Sequence, residues 1–298
     1  MSPLRLSVVI PTRDRLQNLR LALEALARQQ APPGTFEVLV ADDGSVDQTP
    51  AFLADPGPLP FALRCVRLTG TGPARARNRA VSLASAPRVL LLGDDTFPRP
   101  DVVSAHLAAA GDRSLGVQGR VEWDPEAPVT PVMRFLAPEG PQFYFRGLKH
   151  GEEIPYTAHY GANFSAPTAW FREEPFDESF PDAAFEDTEL GYRWRRRGWR
   201  AIYWQAGVCD HRHHYASIGP FLARQRKAGR GARLAARRHA GLVFETIVKP
   251  AAIGSLFAVR YGLRRLAGGG SETERWDLQA RAAFLAGVLG LGQRTEGR

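Results

Sequence analysis

The first hundred residues alternate. Short, β-branched apolar runs give way to segments whose apolar residues recur at helical spacing, a pattern that restricts a chain to parallel strands with helices on both faces. "LSVVIP" (6–11) is the first run, and "RLQNLRLALEALARQQ" follows it. There Leu16, Leu19, Leu23, Leu26 and Gln30 share one stripe, and Thr12 or Asp14 is expected to cap the helix. "FEVLVA", "FALRCVRL" and "RVLLL" are three more strands, and "GPARARNRAVSLASA" is a second helix. Beyond residue 111 the pattern loosens. "GVQGRVEW", "YGANFSAP" and "AIYWQAGV" read as strands, and "AFEDTELGYRWRRRG" reads as a helix with Glu186, Asp187 and Glu189 in its first turn. From about Ser217 the chain reads as helical, with "GGGSE" linking to a last helix from Trp276.

In a parallel sheet, ligands sit outside the carboxyl ends of the strands, where strand order reverses. Two acidic pairs fall at such ends. Asp42 and Asp43 follow the second strand, and Asp94 and Asp95 close the run Val89–Leu92. Adjacent carboxylates at a buried strand end repel each other and resist desolvation unless a positive partner is present. Turn formation is the simpler explanation for "ADDGS", since Asp, Gly and Ser are ordinary turn residues. Neither a G-x-G-x-x-G nor a G-x-x-x-x-G-K-[ST] loop occurs to cradle a phosphate. A nucleotide diphosphate bound here would therefore need a metal, and Asp94 and Asp95 are the carboxylates placed to hold one.

Six stretches occur in a telling order: "VVIPTRDR", "VLVADDGSVDQT", "GPARARNRA", "LLLGDDTFPRPD", "GANFSAP" and "FEDTELGYRWRRRGWRAIYW". Together they resemble family 2 glycosyltransferases over roughly Leu4 to His214. The resemblance implies the GT-A fold, a Rossmann-like, mainly parallel sheet flanked by helices, here with a C-terminal helical extension. It also implies inverting transfer of a sugar from a nucleotide-diphosphate sugar, of UDP type, to a hydroxyl on a glycan or lipid-linked acceptor, as in polysaccharide biosynthesis. Nucleotide-sugar binding would fall to Pro11, Thr12, Asp14, Asp42, Asp43, Arg77, Asn78, Asp94 and Asn163. Asp95 matches the metal-binding acid for Mn²⁺ or Mg²⁺, while Gly93 stands where a preceding acid is common. Asp187, with Glu186 beside it, matches the catalytic base. A histidine ligand is expected in "VCDHRHHYAS": spacing from the preceding strand favours Asp210 or His211, spacing from Phe221 favours His213 or His214, and His211 is the preferred candidate.

The expected domains are residues 1–216, catalytic, and 217–298, helical. Two cysteines, an N-terminal apolar run too short for a signal peptide and no evident 20-residue apolar window lead to a cytoplasmic expectation. The net charge of +8 is concentrated after Arg193. In "LVFETIVKPAAIGSLFAVRYGLRRLAG", Leu256, Val259, Leu263 and Leu266 share a stripe beside Arg260 and Arg264. That stripe either packs on the catalytic domain or makes a peripheral contact with the inner membrane surface. Nucleic acid is not an expected partner. A nucleotidyltransferase would want the missing glycine loop. A non-catalytic binding protein, whether for a nucleotide sugar or for nucleic acid, would explain the basic tail and the missing first acid, but Asp95, Glu186 and Asp187 argue against it.

Overall fold

In the computed structural model, which describes residues 3–111 and 113–291, the expected alternation holds strand by strand. β1 (Leu6–Thr12), α1 (Leu16–Ala27), β2 (Phe36–Asp42), α2 (Thr49–Ala54), β3 (Ala62–Arg67), α3 (Pro73–Ser82) and β4 (Arg88–Leu91) come first. β5 (Thr96–Pro98), α4 (Val102–Ala110), β6 (Gly116–Trp123), α5 (Pro131–Leu136), β7 (Phe164–Pro167), α6 (Thr168–Glu173), α7 (Glu186–Arg196) and β8 (Ala201–His211) follow. These elements belong to one unit ending at His214, and the second unit begins at Tyr215.

The eight strands form one sheet in the order β3-β2-β1-β4-β7-β6-β8-β5. β1 pairs in parallel with β2 on one side and β4 on the other, so strand order reverses at β1. β7 joins β4 and β6 antiparallel, making the sheet mixed as expected. Val8, Ile10, Val38, Val40 and Leu90 fill one face with Leu19, Leu23 and Leu26 of α1. Val9, Leu39, Val89 and Leu91 fill the other with Ala76 and Ala80 of α3. Strands covered on both faces read as continuous apolar runs, which is why their sequence signal is strong.

Several local expectations need correction. Helix α1 stops at Ala27, short of Gln30, and neither Thr12 nor Asp14 caps it. The Thr12 hydroxyl is committed to Asp94, and Asp14 accepts from Val46 N. Asp47, from the loop after β2, accepts from Leu16 N at 3.2 Å instead. Only the second half of "YGANFSAP" is strand, because Asn163 takes a left-handed φ of 88°.

In the second unit, α8 (Gly219–Arg238), α9 (Lys249–Leu266) and α10 (Glu272–Leu289) are helical as expected. Helix α10 starts before Trp276 because Ser271 and Glu274 form a capping box. α8 and α10 cross closely at two glycines. A Cβ on Gly229 would lie 2.0 Å from Phe284 O, and one on Gly287 would lie 2.1 Å from Arg226 O. The expectation of no membrane-length apolar segment is also corrected. The helical run Ala240–Leu266 has a mean hydropathy of 1.6 over an 18-residue window and is long and apolar enough to cross a membrane. Glu245, Lys249, Arg260 and Arg264 interrupt any run of 20 apolar letters, but no more than two charges fall inside that window.

Candidate active site

The carboxyl ends of β1, β2 and β4 carry three acidic groups, each held differently. At the end of β1, Pro11 lies beside Ala41 of β2, and Thr12 beside Asp42. Asp42 is buried; one oxygen accepts Ser45 N at 2.8 Å, and Oδ2 has no hydrogen-bond partner. Arg67 Nε stands 3.7 Å from that oxygen. A buried acceptor left open costs free energy, so it marks a place where a ligand N–H fits. Asp43 is spent on the chain itself: its carboxylate accepts Thr71 N at 2.7 Å and Gly72 N at 2.8 Å. It shapes the loop entering α3. Asp14, with φ 53°, is exposed and ties that same β2 loop to the start of α1.

Asp94 and Asp95 do have a basic partner, from 79 and 80 residues away. Arg15 Nη1 lies 3.1 Å from Asp94 and 2.8 Å from Asp95. The side chain of Thr12 donates to Asp94 at 2.8 Å. Burial, then the charge of Asp95, pushes the Asp94 carboxyl up to about 6. Burial works against charge on Asp95 too, but His211 and Arg15 outweigh it and hold Asp95 well below the usual carboxylate range. Gly93 follows from this geometry. A Cβ there would stand 2.8 Å from Asp95 Oδ1 and 3.0 Å from Thr96 Oγ1, so an acid at 93 would crowd the pair.

His211 ends β8, opposite Thr96 of β5, and Arg212 N donates to Asp95 O at 2.9 Å. This pairing brings His211 Nε2 to 3.6 Å from Asp95 Oδ1. Phe143 and Trp123 pack against the imidazole. The residues fit a divalent ion: a carboxylate held charged and an imidazole nitrogen face each other at a little over the roughly 3 Å that separates neighbouring ligands on such an ion. Substrate phosphates and water would complete the shell, as is usual for Mg²⁺ and Mn²⁺. Among the described residues no group of three or more His, Cys, Asp or Glu is placed to hold a metal, so the protein would supply two ligands. Asp210 is engaged by Arg99 at 2.8 Å, and His214 is exposed.

Helix α7 holds the remaining acids. The residue before it, Phe185, has φ 86°, a conformation that is costly for a bulky side chain and recurs at functional sites. Among the described residues the left-handed ones other than glycine are Asp14, Asn163 and Phe185; the first two are themselves candidate site residues, and Phe185 adjoins Glu186. Glu186 is buried and bonded to Arg77 Nη1 at 2.7 Å. Burial pushes its carboxyl up, and Arg77 opposes the shift. Asp187 is half-buried, and none of the ion pairs among the described residues includes it. One oxygen accepts Gly161 N at 3.3 Å, and its carbonyl accepts His159 Nδ1–H at 2.9 Å. Gly161 lies two residues before Asn163, whose N–H bonds Leu91 O at the end of β4. Asp187 is thereby tethered to the strand that carries Asp94 and Asp95. The two acids of "ED" differ: Glu186 is paired with Arg77 at 2.7 Å, while none of the ion pairs among the described residues includes Asp187.

Asn78 and Asn163 are corrections. Both carboxamides are consumed internally. Asn78 bonds Phe176 through both its oxygen and its nitrogen. Asn163 is fully buried, donating to Arg120 O and Gly207 O while its oxygen accepts His106 Nε2–H. That bond fixes the His106 tautomer, so Nδ1 accepts from Ser165 at 2.9 Å. Both asparagines hold the site in shape, with both amide N–H groups of each already donated within the protein. Arg15 is the functional side chain that sequence reasoning missed, and no local pattern marks it.

Burial pushes both His106 and His159 down to about 4, from an ordinary 6.5. The sign follows from which state takes protons first. Below pH 6.5 the unfolded chain binds a proton at each histidine, and the folded chain does so only near pH 4, so stability falls with pH across that window. Moving from pH 7 to pH 5 should cost roughly 3–4 kcal/mol from this pair. Urea unfolding at the two pH values checks it; His106→Gln should shrink the difference, and equal stability at both would refute it.

An open sheet with acids at successive strand ends, where a glycine loop would otherwise hold the phosphates, defines the GT-A class of nucleotide-sugar domain. The chain belongs to glycosyl transferase family 2, whose family model matches residues 7–180. It is 33% identical over 218 residues to validoxylamine A glucosyltransferase from Streptomyces hygroscopicus subsp. limoneus, covering 65% of this chain and 48% of that protein. A counterpart from Streptomyces hygroscopicus subsp. jinggangensis is 32% identical, with 52% of it covered. The chain spans about half the length of these curated relatives. Its fold is similar to the mannosyltransferase PcManGT from Pyrobaculum calidifontis in complex with GDP-Man and Mn²⁺, with a TM-score of 0.72 at 18% identity, covering 99% of this chain and 89% of that one. TarS residues 1–349 of S. aureus, in complex with UDP-GlcNAc, gives 0.53 at 18% identity, covering 98% and 93%.

Proposed function

We propose that this chain is an inverting, metal-dependent glycosyltransferase that moves a sugar from a UDP-type donor to a hydroxyl of a glycan or lipid-linked acceptor in the cytoplasm. The observation that carries the reading is the contrast within "ED": Glu186 is paired with Arg77, and Asp187, beside the loop entering β7, takes part in no ion pair among the described residues. A general base must accept a proton, and a carboxylate already committed to an arginine is poorly suited to that. Asp187 takes the proton from the acceptor hydroxyl as its oxygen bonds the anomeric carbon. The bond from that carbon to the diphosphate oxygen breaks on the opposite face, which inverts the configuration. Asp42 Oδ2 receives a ring N–H of the base, which uracil presents at N3 and guanine at N1. Asp95 and His211 would hold Mn²⁺ or Mg²⁺, which when bound offsets the charge growing on the departing diphosphate. Arg15, now on Asp94 and Asp95, would add positive charge at the same end of the sheet.

A nucleotide-sugar donor is supported by the structural neighbours in complex with UDP-GlcNAc and GDP-Man, and the open oxygen of Asp42 fits a ring N–H of the base. The test is release of nucleotide diphosphate from UDP-glucose, UDP-GlcNAc and GDP-mannose, with Mn²⁺ and with EDTA. Release from a UDP sugar that stops in EDTA is the expected result. Release from GDP-mannose alone would change the donor, and no release from any donor would favour a binding protein.

A further inference from the structure

Helix α9 exposes its apolar side. Val248, Ala252, Leu256, Val259, Leu263 and Leu266 follow one another at intervals of three or four, which places them on one stripe of the helix. All six are exposed, Leu256 by 73% and Leu266 by 88%. The opposite side of the helix is already occupied. Gly254 faces Leu285 and Arg281 of α10, the Arg281 guanidinium lies over the Phe257 ring at 5.3 Å, and Arg264 bonds Glu274. An amphipathic helix normally turns its apolar stripe inward, and here the stripe faces away from the helix's own partner.

Charge identifies what covers it. Residues 215–291 contain thirteen Lys and Arg against four Asp and Glu, so this unit alone exceeds the +8 of the whole chain. Lys249 and Arg260 flank the stripe on one side. We infer that the α9 stripe docks on the surface of an anionic lipid bilayer, lying in the interface with Lys249 and Arg260 among the headgroups. A second copy of the chain would bring two strongly cationic units together, which disfavours the stripe as a self-interface. Spanning is disfavoured as well, because one side of α9 is packed on α10 and Glu245 and Lys249 would have to leave water. The surface is independent of the catalytic reading.

The test uses the full chain with phosphatidylcholine vesicles and with vesicles of phosphatidylcholine and phosphatidylglycerol. Co-sedimentation is expected with the anionic vesicles, at least about tenfold weaker with the neutral ones, since each basic residue near an anionic surface is worth about fivefold. It should be lost near 1 M salt, where screening acts within about 3 Å. The pair Leu256→Glu with Leu263→Glu and the pair Lys249→Glu with Arg260→Glu should each weaken binding about tenfold or more while circular dichroism is unchanged. Equal binding to both vesicles, or to neither, overturns the inference. Retention after alkaline carbonate extraction would mean a spanning helix. A lipid-free dimer that Leu256→Glu with Leu263→Glu dissolves would make the stripe a self-interface. Each of these readouts is separate from donor turnover, so failure of the catalytic reading leaves the result interpretable.

Discussion

Asp187→Asn is expected to lower sugar transfer by about 10²–10⁴-fold, the usual worth of a positioned general base, or about 3–5 kcal/mol of barrier. Asparagine keeps the size of the side chain and can still accept Gly161 N, so helix α7 should keep its start. His159 bonds the Asp187 main-chain carbonyl, which the substitution leaves in place. Donor binding should therefore change little, because the loss falls on a proton transfer that occurs only in the transition state. Glu186→Gln should behave differently. It leaves Arg77, which is almost fully buried, without its counter-charge, and removing one partner of a buried pair costs about 3–5 kcal/mol of stability. The measurement is kcat and KM for both variants alongside their melting temperatures. A large fall in melting temperature for Asp187→Asn, or undiminished kcat, would move the base elsewhere.

Much of this arrangement was readable before the fold was known. Strands β1, β2 and β4 are buried on both faces, so they had to be continuous apolar runs, and their ends fixed where Asp42 and Asp94 would stand. Side chains whose partners lie far away in sequence were not readable. Arg15 sits in "TRDR" with nothing to distinguish it from Arg13, and only the parallel pairing of β1 with β4 brings it onto Asp94 and Asp95. Asn78 and Asn163 carry family positions, but a motif does not record that a carboxamide is saturated by carbonyls from Phe176, Arg120 and Gly207. Phe185 was equally silent, because its left-handed backbone is imposed by the tertiary fold against its own preference. The apolar length of 240–266 was hidden because five charges (Glu245, Lys249, Arg260, Arg264 and Arg265) break it up in the sequence.

Asp95→Ala is expected to abolish turnover while leaving the fold intact. Its carboxylate lies 3.6 Å from His211 Nε2, and it shares Arg15 with Asp94. Without Asp95, His211 alone would remain to bind the ion, and a single neutral imidazole holds Mg²⁺ or Mn²⁺ weakly. The metal-free protein should still fold: the contacts of Asp95 with Arg15 and His211 are lost, but the repulsion on Asp94 is relieved and Arg15 still pairs with Asp94 at 3.1 Å. The distinguishing readout is the rise in melting temperature that Mn²⁺ produces, which reports binding to the folded state whether or not catalysis occurs. That rise should vanish in Asp95→Ala, shrink in His211→Ala, and persist in His214→Ala, whose side chain is exposed. If Mn²⁺ still stabilises Asp95→Ala as it does the unaltered protein, the ion is held elsewhere. If His214→Ala abolishes the effect and His211→Ala does not, the ligand lies beyond the strand end, and the 3.6 Å approach of His211 to Asp95 is an ordinary carboxylate–imidazole contact.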